Sequence, residues 1–479
     1  MLTGDCKKAA TSVLDERRLW LSLVEQAARA DALRQQIEGM RQSLSWRVTA
    51  PLRRLRGIFP RREQIDGPLL SSGEGVNAHR SQSFPLWMNS VRVLAGDQRA
   101  RWFIDVTELA REDLGAGVER VTRRILGELI LAPPENVRIQ PVKLDPRGIY
   151  VEANAFLCSF LGMFVEEWAI DEPINPSQGD RFIGLDFCRQ HALLLGKALG
   201  ALKERGVPIS LMMHDTLPIS HPAWFPDGVS EAFEAWLRVA AASAHQLICI
   251  SQCTALAVSK VMTERGLDAS SLDIRVMPLG ADFIPVPVVR SPLSPKPDGV
   301  KRVLTVGTIE PRKGHAQALA AFEELWRQGA SVEWVIAGRV GWKVDDLVER
   351  ITNHPEAGHR LHWIDRPDDR ALISLYSDCD ALLAPSFGEG YGLPIAEAGR
   401  YGLALLLRDL PVFREIAGDS AVFFSGSEHD ALMCTLLTWL SNTNVINDVS
   451  HHWSTWSESA EKLKEICAPL QHSLSGSET

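Results

Sequence analysis

The sequence predicts an α/β protein: two Rossmann-like, doubly wound domains facing each other, preceded by an N-terminal helical, coiled-coil arm. Three observations carry that expectation. From about residue 100, short apolar strand candidates alternate with helical periodicity, and the alternation comes in two blocks. A proline-rich stretch with Pro287, Pro292, Pro295 and Pro297 parts the blocks. The first 62 residues have another texture, an apolar seam followed by arginines. The expected divisions are an arm over 1–62, a linker over 63–95, an N-terminal domain over 96–290 and a C-terminal domain over 291–450. A tail over 451–479 follows, with a helix that crosses back and a disordered end.

Composition agrees with that plan. At 479 residues the chain exceeds one ordinary domain and suggests about three. With 45% hydrophobic and 23% charged residues it is neither wholly disordered, nor collagen-like, nor a disulfide scaffold. No apolar run reaches the length of a spanning helix, and residues 1–10 lack the apolar core of a secretory signal. Eight cysteines are scattered, with Cys249 and Cys253 the one close pair, a poor zinc site. Reduced thiols in the cytoplasm are expected.

The arm is read first. Leu19, Leu23, Ala30, Leu33, Ile37, Met40 and Leu44 form a three-four seam, interrupted by Gln26. It suits a coiled coil joining a second copy or a partner protein, or a helix lying on its own protein. Between Arg41 and Arg62 stand seven arginines and no acid, so the rest of the chain carries −16 against a total of −9. That balance argues against nucleic acid and for a local anionic partner such as a membrane surface. Trp46, Leu52, Leu55 and Phe59 among the arginines have the composition of an interfacial anchor.

Along the body, strands are expected over 101–106, 182–185, 209–213 and 247–250, with a helix over 118–131. The second block offers strands over 302–306, 333–337 and 381–384 and a helix over 316–327. The strongest chemical signal follows the last strand: Phe387-Gly388-Glu389-Gly390-Tyr391-Gly392-Leu393-Pro394-Ile395-Ala396-Glu397-Ala398. Gly390 and Gly392 let backbone approach a ligand, and Pro394 suits a first helical turn. The free amides of that helix start form an anion site, flanked by two carboxylates at different depths.

The Glu389-x7-Glu397 pattern resembles that of retaining glycosyltransferases with the two-domain GT-B fold, family 4. Residues 306–315, 336–342, 213–218 and 276–282 resemble further motifs of that family, and the likeness covers about 100–470. It implies that Glu389 contacts the donor sugar and Glu397 the ribose. Arg312 and Lys313 would face the diphosphate, together with the amides of Gly390, Tyr391, Gly392 and Leu393. His214 matches the histidine near the sugar, and Asp215 would orient His214 or its loop. Gly115, Gly117 and Arg120 resemble the loop facing the diphosphate, with an ordinary βα turn as the alternative. His214, Glu389 and Lys313 are thus the expected catalytic residues.

The sequence departs from the pattern at Thr308, where many members have arginine, and at Arg408, where a small residue is common. Asp378-Cys379-Asp380 is formally a metal motif of another glycosyltransferase fold, but it reads as a helix end and strand start. No metal and no cofactor are expected. Trp453 and Trp456 read as packing residues of the tail.

Residues 45–53 are similar to a segment of bacterial polysaccharide glycosyltransferases, which implies O-antigen, lipopolysaccharide or capsule assembly. Glu310-Pro311-Arg312-Lys313 resembles mannosyl- and rhamnosyl-transferring members. GDP-mannose therefore leads as donor, with UDP- and dTDP-sugars open, and the acceptor would be a saccharide or lipid-linked precursor. Two other readings stay in view. One is a catalytically idle docking subunit. The other is a related phosphorylase, against which the missing pyridoxal-phosphate lysine context speaks.

Overall fold

The computed structural model describes residues 99–113, 115, 117–161, 170–187, 192–283, 291–441 and 451–468. The coiled-coil seam, the arginine segment, the linker, Pro287 and the end beyond 468 lie outside them. The chain divides into two compact units, Met1–Arg181 and Phe182–Thr479.

In the first unit, β1 (Ala100–Asp105) runs parallel to β2 (Val137–Leu144), and β3 (Tyr150–Glu152) is antiparallel to β2. The helix Gly117–Leu131 makes the crossover between β1 and β2 and buries Val121, Ile125, Leu126 and Leu129.

The second unit holds two groups of parallel strands. β4 (Arg181–Gly184), β5 (Ile209–Met213), β6 (Gln246–Cys249) and β7 (Asp273–Val276) pair in that order. The other sheet contains β8 (Lys301–Val306), β9 (Val332–Ala337), β10 (Leu361–Ile364), β11 (Ala381–Ala384), β12 (Ala404–Arg408) and β13 (Ala421–Phe424). Its order is β10-β9-β8-β11-β12-β13. The direction of winding reverses between β8 and β11, and ligand crevices form beyond the carboxyl ends of strands at such a point.

Alternate residues of these strands feed two apolar clusters. Val303, Trp334 and Leu383 join one, and Leu304, Val335 and Leu382 the other. Both faces are therefore covered, which explains why the strands read as continuous apolar runs. Phe322 stacks on Trp334 at 5.0 Å in the first cluster, and Tyr376 and Phe413 fill the second.

The tail helix Trp456–Cys467 begins with a capping box between Thr455 and Glu458. It returns to the β4–β7 part of the unit. Ser459 Oγ donates to the Pro278 carbonyl at 2.8 Å, and Asp282 accepts from the Trp456 amide at 2.6 Å. Trp456 is buried and the Trp453 ring lies against Gly399, so both tryptophans pack.

Cys158, Cys249, Cys253, Cys379, Cys434 and Cys467 are free thiols. Burial pushes the Cys249 thiol up to about 12 and, with Glu415 beside it, the Cys253 thiol up to about 11. Among the described residues no helix is long and apolar enough to cross a membrane.

Candidate active site

The loops after β8, β9 and β11 converge at the carboxyl ends of their strands. Gly314, at φ +73°, ends the short turn Pro311–Lys313 and opens the helix His315–Arg327. A Cβ there would stand 2.2 Å from the Pro385 carbonyl oxygen, so glycine is what lets the β8 and β11 loops touch. The Phe387 amide then donates to the Arg312 carbonyl at 2.7 Å. This contact delivers Glu389 to the two cations. Lys313 Nζ and Arg312 Nη1 each donate to its carboxylate at 2.6 Å, one to each oxygen. Arg312 also pairs with Glu310 at 2.7 Å and donates to the Gly388 carbonyl at 3.0 Å.

The electrostatics follow from these pairs. Burial opposes the charge of Glu389, but Arg312 and Lys313 outweigh it and hold the carboxyl down at about 2. Burial pushes Glu310 up, although both cations oppose it. Burial also opposes the Arg312 charge, yet Glu389 and Glu310 raise its pKa further. The result is a fixed ionic knot at the start of the helix Leu393–Arg400, whose N-cap is Gly392 at φ +123° and whose first turn carries Pro394.

His214 and Asp215 follow β5 and meet this loop. His214 Nε2 donates to the Leu185 carbonyl at 3.0 Å, which leaves Nδ1 as the acceptor of the neutral ring. Burial lowers its pKa, so the neutral form is favoured. Of the two roles expected for Asp215 the geometry shows the loop role: its Oδ1 accepts from the Leu217 amide at 3.0 Å and starts the helix Leu217–Ser220. Burial raises its pKa while Arg312 nearby lowers it.

Gly390 makes its close approach to protein. A Cβ there would lie 1.8 Å from the His214 carbonyl oxygen. Its own carbonyl accepts from Ser251 Oγ at 2.7 Å and Thr254 Oγ1 at 3.0 Å. Tyr391 Oη donates to the Leu279 carbonyl at 2.9 Å, leaving its amide as the expected donor contact. Glu397 is buried and accepts from Tyr376 Oη at 2.7 Å. Gly115, Gly117 and Arg120 lie in the first unit, at the start of the helix Gly117–Leu131.

Arg408 acquires a role from its surroundings. Its Nε and Nη2 donate to the Pro385 carbonyl at 3.0 and 2.9 Å, and it also bonds Gln317 and the Gly426 carbonyl. The guanidinium covers the Phe387 ring at 4.0 Å, and burial pushes its pKa down to about 10. It fixes the loop that carries Glu389. Ser251 and Thr254 were not anticipated in the site, although a Ser-x-x-Thr helix start after a strand was a visible signal.

Asp380 stands at the opposite end of β11 from Glu389. It accepts from Lys296 Nζ at 2.8 Å and from the Arg302 amide at 2.7 Å. Asp378 closes the preceding helix Asp369–Asp378, which is the structural reading of that motif.

Residues 291–456 match the sequence family described as glycosyl transferases group 1. Over that segment the chain is similar to the group 1 glycosyltransferases. The chain is 34% identical over 377 residues to the serotype-specific mannosyltransferase WbdA of Escherichia coli, an alignment covering 75% of the chain and 45% of WbdA. The chain thus spans about half the length of those relatives. The O-antigen chain mannosyltransferase B of Escherichia coli is 30% identical over 143 residues, 29% of the chain and 36% of that protein. Among solved structures, Anabaena HepE in complex with UDP and glucose superposes with a TM-score of 0.54 at 15% identity, over 78% of the chain and all (100%) of HepE. Sucrose-phosphate synthase from Thermosynechococcus elongatus gives 0.52 at 16% identity, over 77% of the chain and 98% of that structure. These likenesses show the GT-B fold expected from the sequence.

Proposed function

We propose that this chain is a glycosyltransferase that moves a hexose, mannose first, from a nucleotide sugar to a growing cell-surface polysaccharide or its lipid-linked precursor. Transfer would proceed with retention at the anomeric carbon and without a divalent ion. The observation that carries this reading is Glu389 bonded to both Lys313 and Arg312 at the start of a helix.

Cleaving a sugar–phosphate bond builds negative charge on the departing diphosphate and positive charge on the anomeric carbon. Lys313, Arg312 and the amides around Gly392 and Leu393 suit the first charge. The ionised Glu389 carboxylate suits the second, and the neutral His214 supports contact with sugar hydroxyls. Mannose as the sugar rests on the mannosyltransferase relatives.

The reading places the enzyme in the cytoplasm, held on the inner face of the membrane by the arginine segment. Sedimentation with anionic liposomes, for the intact chain and for one lacking residues 1–95, tests that placement; no binding by the intact chain at low salt contradicts it. Thermal-shift measurements with GDP-mannose, UDP-sugars and dTDP-sugars test the donor, because a ligand of the folded state alone raises the transition temperature. Stabilisation by GDP-mannose above the others supports the assignment, and its absence across the panel overturns it.

A further inference from the structure

The two cations assigned to the donor are already paired inside the protein. Lys313 bonds Glu389, and Arg312 bonds Glu389 and Glu310. Asp215 adds a carboxylate close to Arg312. A diphosphate arriving here meets a site whose positive charge is largely committed.

Arg339 is different. Among the described residues its guanidinium has no hydrogen-bond or ion-pair partner, and its Nε is buried. An arginine nitrogen shut away from water without a partner is unfavourable unless a ligand completes it. Its position indicates which ligand. β8 and β9 are parallel with Val306 opposite Ala337, and the bridge between Ile309 and Val340 continues that register past the strand ends. Arg339 therefore stands beside Thr308, one strand spacing of about 4.8 Å away. The Ile309 amide bonds the Arg339 carbonyl at 2.8 Å, which fixes the backbone there.

Close packing ties this corner to the ionic knot. A Cβ on Gly338 would lie 1.9 Å from the Gly307 carbonyl oxygen, and one on Gly307 would lie 3.4 Å from Lys313 Nζ. Arg339 thus leaves the same end of the same sheet as Lys313, one strand over. A planar guanidinium with free N–H groups is suited to paired phosphate oxygens.

We propose that Arg339 binds the diphosphate of the donor, an assignment that rests on the nucleotide-sugar reading above. Titration calorimetry of the full chain with GDP, GMP, guanosine and inorganic pyrophosphate tests it, comparing Arg339→Ala, Arg339→Gln and Arg339→Lys with the unaltered protein. The expected result is about tenfold or greater loss of GDP affinity in the Ala and Gln variants. GMP should lose less, Arg339→Lys should recover part of the affinity, and the melting temperature should stay unchanged because no protein contact is removed. Unaltered GDP affinity with a lowered melting temperature makes Arg339 structural and overturns the assignment. Equal losses for GDP, GMP and guanosine move Arg339 to the base and overturn it as well. Failure of the unaltered chain to bind GDP, and also UDP and dTDP titrated beside it, overturns the donor reading itself, and this one with it.

Discussion

Glu389 and Lys313, 76 positions apart, are joined by a 2.6 Å hydrogen-bonded ion pair between the loops that follow adjacent strands β11 and β8. Arg312 bonds the second carboxylate oxygen at the same distance. The group expected to face the sugar is therefore locked to the groups expected to face the diphosphate, and chemistry at one is coupled to charge at the other.

Lys313→Ala is expected to lower kcat by on the order of 100-fold, the scale of losing one preorganised donor to a developing anion. The same substitution removes half of the pairing that keeps Glu389 ionised. Steady-state kinetics of donor consumption checks this; a kcat within about threefold of the original would remove Lys313 from the catalytic set.

Glu389→Gln should abolish most transfer while nucleoside diphosphate still binds, and binds more tightly, because Arg312 and Lys313 lose their internal anion. Calorimetry with GDP measures the affinity directly. Weaker GDP binding with an intact sugar step would reverse the roles given to Glu389 and Glu397.

Glu397→Ala is expected to weaken nucleotide binding, and its burial against Tyr376 adds a stability cost. Tyr376→Phe separates the two effects, since it removes the 2.7 Å hydrogen bond and leaves the carboxylate in place. Melting temperature should fall in both variants, with GDP affinity falling strongly only in Glu397→Ala. Equal affinity losses would make Glu397 a structural carboxylate.

The motif was legible because its chemistry is local. Gly390, Gly392, Pro394 and the two glutamates lie on one strand–loop–helix segment, and their spacing alone implies an anion site. What Gly390 touches was not legible, since its neighbours Ser251, Thr254 and His214 lie more than a hundred residues away. Arg408 showed in the sequence as a departure without a role, because most of its partners are backbone carbonyls, which carry no residue signature. The buried strands β8, β9 and β11 were anticipated. The edge strand β10, Leu-His-Trp-Ile, was not, because only Leu361 is fully buried and its residues form neither an apolar run nor a clear alternation. Asp380 was placed correctly, as its neighbours in sequence already marked a strand start.

Acid should destabilise the protein through its buried histidines. His315 is held down to about 3 by burial and by Lys313, and among the described residues its ring nitrogens have no partners. Its folded pKa lies below the unfolded value near 6.5, so the stability it contributes is present above 6.5 and is lost as pH falls toward 3. Glu389, held near 2, adds a loss that starts below about 4.5. Denaturant midpoints measured from pH 7.5 to 4 should decline, and His315→Leu should flatten the decline between 6.5 and 4.5. An unchanged slope in that variant would mean that the imidazole is not buried in its neutral form.

The most direct measurement is proton NMR of the product formed from GDP-mannose and a mannose-terminated acceptor by the intact chain in excess chelator. The site described here predicts transfer that keeps the donor's α configuration, undiminished by the chelator and lost in Glu389→Gln. A β-linked product, or transfer that stops in chelator and returns with manganese or magnesium, would contradict it.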